Sequence, residues 1–517
     1  MTRTSSVLPG FTLRPVAHAP AWQRRDVLIL AVIGLLAFLV RLQMAVRGGG
    51  LLGVGAYDDG VHYAAAASLI HGRLPYRDFL FLQPPAMVLA ASPFAALGQL
   101  LGDPTGLRAF RIAFQLVGAL NTVLVAAVLR RWGLPAAIVG GVSYAVFFPA
   151  VYDERTALLE PAGTAGLLLA LLLIGRGRQA GGRALLVAGA ALGVACGFKI
   201  WYVVPALVIL AFAHGGRLRV LIGLVVAGLV VYLPFFAASP ARMWQQVVLA
   251  QVGRARNQDY ADLFPRARVL LGVEGIHLDV PIAGLDAAAL TIGGLVLLGL
   301  AVVVALATPG ARVLVALLVA TGAVVASSPS FFAHYAALTA PVLCLLTGLA
   351  VGRLLPLLRA RALQAAAVVV VLAAVVGLNV RHDLDRVDVR PPGAALQASA
   401  ARIPGCIASD DPTLLAVMDV LSRDLDRGCP LRPDIGGYSF GPDRQVGPDG
   451  EPVSRRTNTA FQASTVQYLL GADAFIRWRG NTALNADSLA RLREQPVLAK
   501  HGTWTIRQGL GTDSPRR

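Results

Sequence analysis

Residues 24–60 read RRDVLILAVIGLLAFLVRLQMAVRGGGLLGVGAYDDG: two arginines, an apolar run over 27–46, a glycine-rich break, and the adjacent acids Asp58 and Asp59. As a helix, a predominantly apolar run of about 20 residues crosses roughly 30 Å of hydrocarbon. The stretch therefore predicts a membrane helix with basic residues before it and ionisable chemistry at its far end. No small-residue cleavage site follows the run, so it reads as a retained first helix rather than a removed signal peptide.

The rest of the chain repeats the pattern. Its 517 residues are 56% hydrophobic and 15% charged, with a mean hydropathy of +0.65, too apolar for an aqueous globule. A net charge of +17 in a soluble protein would suggest a nucleic-acid partner. Here the arginines fall between apolar runs, where topology accounts for them, so membrane lipids are expected as partners and nucleic acid is not.

Windows long enough to span lie near 27–46, 107–129, 134–151, 157–174, 184–200, 202–213, 220–237, 284–306, 313–328, 335–352 and 363–380, about eleven in all. Alternate connections carry Arg130 and Arg131; Arg176, Arg178 and Arg183; Arg217 and Arg219; Arg312; and Arg353, Arg359 and Arg361, with no acid among them. Because short cytoplasmic loops collect Lys and Arg, this set marks the inner face and puts the N-terminal tail, 1–25, inside. Of 29 acids only Asp26 falls near that face. Residues 84–101 are apolar but interrupted by Pro84, Pro85, Pro93 and Gly98, and counting them as a span would invert every later loop. They are read with 60–83 as part of one outer loop, 47–106, carrying interfacial helices near 62–71 and 86–101. A second outer loop is expected at 238–283, with an amphipathic stretch at 243–252.

The membrane domain thus runs over 26–381. Beyond it, 382–508 mixes polar and apolar residues, with strand-like pieces at 406–409, 475–478 and 504–507 and helical patterns near 413–425, 460–470 and 486–493. This predicts a compact α/β domain, placed outside the membrane by the odd span count, with 509–517 a loose tail. Cys406 and Cys429 are its only cysteines, and an oxidising exterior favours their pairing. Cys196 and Cys344 lie in apolar segments as small core residues. There is no CxxC or zinc spacing. Gly48-x-Gly50-x-x-Gly53 matches a dinucleotide fingerprint in form only, since no strand precedes it.

A carboxylate pair beside a bilayer can supply a general base for an acceptor hydroxyl. Around this pair the order is an apolar helix, Tyr57-Asp58-Asp59, a helix with small residues, Gly72-x-x-Pro75-Tyr76-x-Asp78, Pro84-Pro85, then Arg108 and Arg111 opening the next span. It resembles the GT-C-type integral membrane glycosyltransferases, in particular the protein O-mannosyltransferase and lipid A aminoarabinose transferase group and its actinobacterial relatives. The resemblance extends to Tyr152-Asp153-Glu154, Gly197-Phe198-Lys199 and Phe332-Ala333-His334-Tyr335, covering roughly 27–380.

It implies a mainly α, GT-C-like bundle of about eleven spans that moves a sugar, with mannose and arabinose the leading candidates, from a polyprenyl-phosphate donor to a glycan, glycolipid or protein acceptor outside the membrane. Asp58 takes the role of base and Asp59 that of its partner, although the family more often has Glu at the second position. That departure leaves metal use open, with a divalent ion the only cofactor in view. Departure of a lipid phosphate needs nearby cations; Lys199, Arg254 and Arg256 are the candidates, though Lys199 can equally snorkel from its helix end. His62, Tyr76, Asp153, Glu154, His334 and Tyr335 are the candidates for substrate contact, although helix-start acids also stabilise helix dipoles. A lipid-sugar flippase, with ionisable residues at the bilayer midplane, and a catalytically silent glycolipid-binding protein are the competing readings.

Overall fold

The computed structural model of the chain describes residues 23–175, 181–254, 260–274, 286–384, 387–478 and 483–511. Most of the expected N-terminal tail, Arg176 and Arg178, Arg256, and all but the first residues of the C-terminal tail lie outside them.

Up to Asp383 the regular elements among the described residues are helices: α1 (Arg24–Arg47), α2 (Asp58–Ile70), α3 (Ala86–Leu101), α4 (Asp103–Leu129), α5 (Leu134–Val146), α6 (Phe148–Glu154), α7 (Glu160–Ile174), α8 (Gly182–Phe198), α9 (Val203–Phe212), α10 (Arg217–Ala238), α11 (Pro240–Trp244), α12 (Ala250–Val252), α13 (Leu263–Leu270), α14 (Ala287–Ala307), α15 (Arg312–Ser327), α16 (Ala340–Leu354) and α17 (Arg361–Asp383). Six helices among the described residues are long and apolar enough to cross a membrane, or seven if the pair α5 and α6, bent by 56°, counts as one. The remaining four expected windows coincide with shorter apolar helices, α7, α8, α9 and α15. Helices such as α14 turn Ile292, Val296, Leu297 and Val303 outward, a continuous apolar face that water would not tolerate but lipid does. This is a multi-pass membrane protein.

Two charged residues of α1 are paired inside the bundle, as a low-dielectric interior favours. Arg41, in the middle of α1, is fully buried and donates through Nε to Glu154 Oε2 at 2.8 Å. Glu154 Oε1 accepts from Asn121 at 2.7 Å and Tyr144 at 2.8 Å. One carboxylate thus ties α1, α4, α5 and α6 together. Gly118 makes room for it, since a Cβ there would lie 2.5 Å from Arg41 Nε. At the opposite end of α1, Asp26 pairs with Arg130 at 2.9 Å.

The acid pair does not sit in a loop: helix α2 begins at Asp58, four residues before the expected start. Helix α3 spans the expected helical segment 86–101 and continues almost directly into α4 through Gly102. The stretch 243–252 is helical with a π turn over Gln245–Leu249.

Beyond α17 come α18 (Ala394–Ala401), β1 (Ile407–Ser409), α19 (Pro412–Val417), α20 (Leu421–Asp426), α21 (Thr459–Leu470), β2 (Ala474–Ile476), α22 (Ala486–Arg493), β3 (Val497–His501) and β4 (Trp504–Gln508). The sheet order is β1-β2-β4-β3, with β1 and β2 parallel and the other pairs antiparallel. Strand β3, a mostly exposed edge, was not among the expected strands. Cys406 and Cys429 form a disulfide, Cα atoms 5.7 Å apart.

This domain is latched to the first loop. Gly60 on α2 meets α19 so closely that a Cβ would lie 2.6 Å from the Thr413 nitrogen. The Asp103 carboxylate accepts from the Ser422 nitrogen at 2.9 Å and hydroxyl at 2.7 Å, and Asp419 accepts from the Asp103 nitrogen at 2.8 Å. Residues of α2, α3, α4, α19, β1 and β4 share one apolar core.

Candidate active site

A cavity of about 240 Å³ lies between the start of α2, the start of α7, the end of α8, the segment before α16 and the C-terminal domain. Asp58, His62, Glu160, Lys199, Arg254, His334 and Tyr335 line it, joined by Gln83, Gln251, Asp434, Phe440 and Arg455.

The two aspartates part company. As the first residue of α2, Asp58 turns its side chain, 44% exposed, toward His334, whose Nε2 lies 3.9 Å from Asp58 Oδ2. Asp59, one helical step on, points the other way and is fully buried. Its Oδ2 accepts from Arg111 Nε at 2.6 Å and from the Thr156 hydroxyl, and its Oδ1 from the Gly60 nitrogen at 2.7 Å. Arg111 also donates to the carbonyls of Leu51 at 2.9 Å and Gly53 at 2.8 Å. Burial pushes the Asp59 carboxyl up, but the Arg111 charge and the hydrogen bonds from Arg111 and Thr156 outweigh it and hold it below the ordinary aspartate value. Asp59 is not among the cavity's lining residues; it staples the loop between α1 and α2 to α4.

The cations sit across the cavity. Lys199, where α8 ends, bonds Glu160 and lies 4.3 Å from the ring centres of both Trp201 and Tyr335. Arg254 donates to the Tyr335 hydroxyl at 2.9 Å, and its guanidinium lies 5.0 Å from the Phe440 ring centre, with Arg455 at 4.9 Å from the same ring. Lys199 is thus matched by a carboxylate, whereas the partners of Arg254 found here carry no charge. Preorganised positive charge of this kind suits an anionic ligand.

His62 contacts the Ala157 carbonyl through Nδ1 at 2.9 Å, and burial pushes its pKa down. Burial does the same for His334, which stacks on Phe332 at 5.8 Å. Tyr335 lines the cavity as a bridge between Lys199 and Arg254. The other expected contacts are elsewhere. Tyr76 is buried, bonds the Gln83 carbonyl at 2.7 Å, and borders a separate open groove of about 730 Å³ between 76–80, 242–253 and 438–444. Glu154 is consumed by the Arg41 clasp. Asp153 is fully buried beside Glu160, its carboxylate oxygens making no hydrogen bond among the described residues. No three His, Cys, Asp or Glu side chains among the described residues converge as a metal site.

Sequence reasoning missed the structural role of Arg111, the Arg41 clasp, and the contribution of Asp434, Phe440 and Arg455. A lone arginine within the apolar run 27–46 was a readable signal for Arg41. Nothing local marks Asp434, whose place depends on how the C-terminal domain docks.

A scan against protein-family models found no match, and neither did a sequence comparison with curated proteins. Solved structures do match. Apo ArnT from Cupriavidus metallidurans superposes with a TM-score of 0.61 at 17% identity, covering 93% of this chain and 97% of that one. The chain has the GT-C fold. The same ArnT bound to undecaprenyl phosphate gives a TM-score of 0.53 at 17% identity over the same shares. The archaeal oligosaccharyltransferase AglB from Archaeoglobus fulgidus, in complex with an inhibitory peptide and a dolichol-phosphate, gives 0.50 at 14% identity, covering 77% of this chain and 59% of that one. The GT-C likeness extends over the C-terminal domain as well as the membrane helices.

Proposed function

We propose that the chain is a membrane glycosyltransferase that moves a sugar from a polyprenyl-phosphate donor to an extracytoplasmic acceptor with inversion. The observation that carries this reading is the cavity itself: the Asp58 carboxylate, at the start of α2, shares with a lysine and two arginines a space lined by aromatic rings. Lipid phosphates bound to ArnT and AglB in the solved GT-C structures support it.

In the reaction, Asp58 takes the proton of an acceptor hydroxyl. The hydroxyl oxygen bonds to the anomeric carbon from the face opposite the donor phosphate, the carbon–oxygen bond to phosphate breaks, and polyprenyl phosphate leaves. Arg254 and Lys199 stabilise the charge that develops on the phosphate. All eleven apolar windows cross the bilayer in this reading, with the N-terminus cytoplasmic and the C-terminal domain outside. A flippase would need ionisable groups opening onto a transport route; Arg41 and Glu154 instead satisfy each other inside the bundle.

The test is mass spectrometry of products formed from defined polyprenyl-phosphate mannose and arabinose by the wild type and Asp58→Asn. Transfer by the wild type, lost in the variant while lipid binding persists, is the expected result. Undiminished transfer by Asp58→Asn would remove the base, and lipid movement without any transfer would favour the flippase.

A further inference from the structure

We propose that Tyr57 and Asp434 are positioning residues: by bonding to each other they hold the turn from which Asp58 projects, so the C-terminal domain sets the geometry of the base. This rests on Asp58 being the base.

Tyr57 has φ 54° and ψ −59°, and the Asp58 nitrogen donates to the Ala56 carbonyl at 2.6 Å. A bond between residues two apart, closed around a central residue of positive φ, is a γ-turn of the rare, strained hand. For a residue with a side chain such a conformation costs about 1–3 kcal/mol and persists only where the surroundings enforce it. Glycines stand close by at 53, 55 and 60, yet a tyrosine occupies the strained position.

The contacts of the Tyr57 side chain enforce it. The Tyr57 hydroxyl donates to Asp434 Oδ1 at 3.1 Å and accepts from the Gly436 nitrogen at 2.8 Å. The same Asp434 oxygen accepts from the Gly437 nitrogen at 2.8 Å, fixing it at the start of the 3-10 turn Gly436–Phe440. The tyrosine ring, 8% exposed, is thus clamped at its tip by the C-terminal domain while its backbone enters α2. On the other side of Asp58, Asp59 is fixed by Arg111 and Thr156. The base stands between two immobilised neighbours, one held by the membrane domain and one by the C-terminal domain. Misplacing a reacting group by about 1 Å can lower a rate about 10²-fold, so the clamp bears on turnover rather than on donor affinity.

The experiment uses the full-length protein in liposomes, with turnover, donor KM and melting temperature measured for Tyr57→Phe, Asp434→Ala, the double variant and Asp58→Asn. Each single change is expected to lower kcat about 10- to 100-fold with donor KM unchanged, and the double to be no worse than the poorer single, because both break the shared Tyr57–Asp434 bond. Tyr57→Gly, which fits the turn without strain but lacks the hydroxyl, is expected to be as slow as Tyr57→Phe. Full kcat in Tyr57→Phe, losses that multiply in the double, or a loss in which KM rises and melting falls in step would each overturn the inference. The two proposals fail separately: an active Asp58→Asn removes the base, whereas an inactive Asp58→Asn beside a fully active Tyr57→Phe removes only the clamp.

Discussion

Changing Asp59 to Asn should damage the protein in a different way from changing Asp58 to Asn. The Asp59 and Arg111 side chains are 0% and 5% exposed, and removing one partner of such a buried pair typically costs about 3–5 kcal/mol, because the other charge is left uncompensated. An asparagine cannot restore every contact: with its oxygen toward Arg111 and Thr156 its NH2 group faces the Gly60 N–H, which donates to Asp59 Oδ1, and with the amide flipped the NH2 faces the Arg111 Nε–H instead. Set against a total stability of about 5–15 kcal/mol for a typical protein, that loss should show as low yield and a clearly lower melting temperature. The Asp58 side chain is 44% exposed, so Asp58→Asn should shift stability by no more than about 0.5 kcal/mol while transfer falls about 10²- to 10⁴-fold. The assay is thermal melting of the purified protein alongside transfer normalised to folded material. If Asp59→Asn melted like the wild type and yet transferred no sugar, the assignment of Asp59 to the scaffold would be wrong.

Arg254→Gln should raise donor KM about 10- to 100-fold, the worth of a charge-assisted hydrogen bond of about 1.5–3 kcal/mol, with little change in melting; steady-state kinetics with the lipid donor checks it. Cys406→Ser with Cys429→Ser, or added reductant, should destabilise the C-terminal domain by about 3 kcal/mol, as expected for a loop of 23 residues, read from its melting transition. Acid should weaken the fold in two stages. Burial holds His62 and His334 below the ordinary histidine value of 6.5, so the unfolded chain takes up their protons first, and stability is full above that value and falls beneath it. The depressed Asp59 contributes stability present above 3.8 that is lost as pH falls through its lower folded value. A higher melting temperature at pH 5 than at pH 7.5 would contradict this.

The membrane helices were legible because hydrophobic length is a one-dimensional property: each expected window falls on a helix. The edge of the acid pair was not, since nothing in Tyr57-Asp58-Asp59 announces that the helix starts at Asp58 and sends the two side chains opposite ways. Lys199, His334 and Tyr335 were picked out in the stretches that carry the family resemblance, and His62 and Arg254 in the outer loops, and the cavity does bring them together. Tyr76 and Glu154 occupied equally suggestive positions, but their partners, the Gln83 carbonyl and Arg41, are fixed by packing rather than by spacing. Asp434, Phe440 and Arg455 lie some 375–400 residues from Asp58 along the chain, and only docking of the C-terminal domain puts them in reach.

The clamp on Tyr57 has a consequence for biosynthesis. A nascent polypeptide that has just completed α17 already owns Asp58, Lys199, Arg254 and His334, but not the hydroxyl's two partners at 434 and 436. With the turn unsupported, such a chain would hold its tools without being able to use them. On the proposed function, finishing translation and docking the last quarter of the chain would then act as the licensing step, keeping a half-made protein from acting on its substrates.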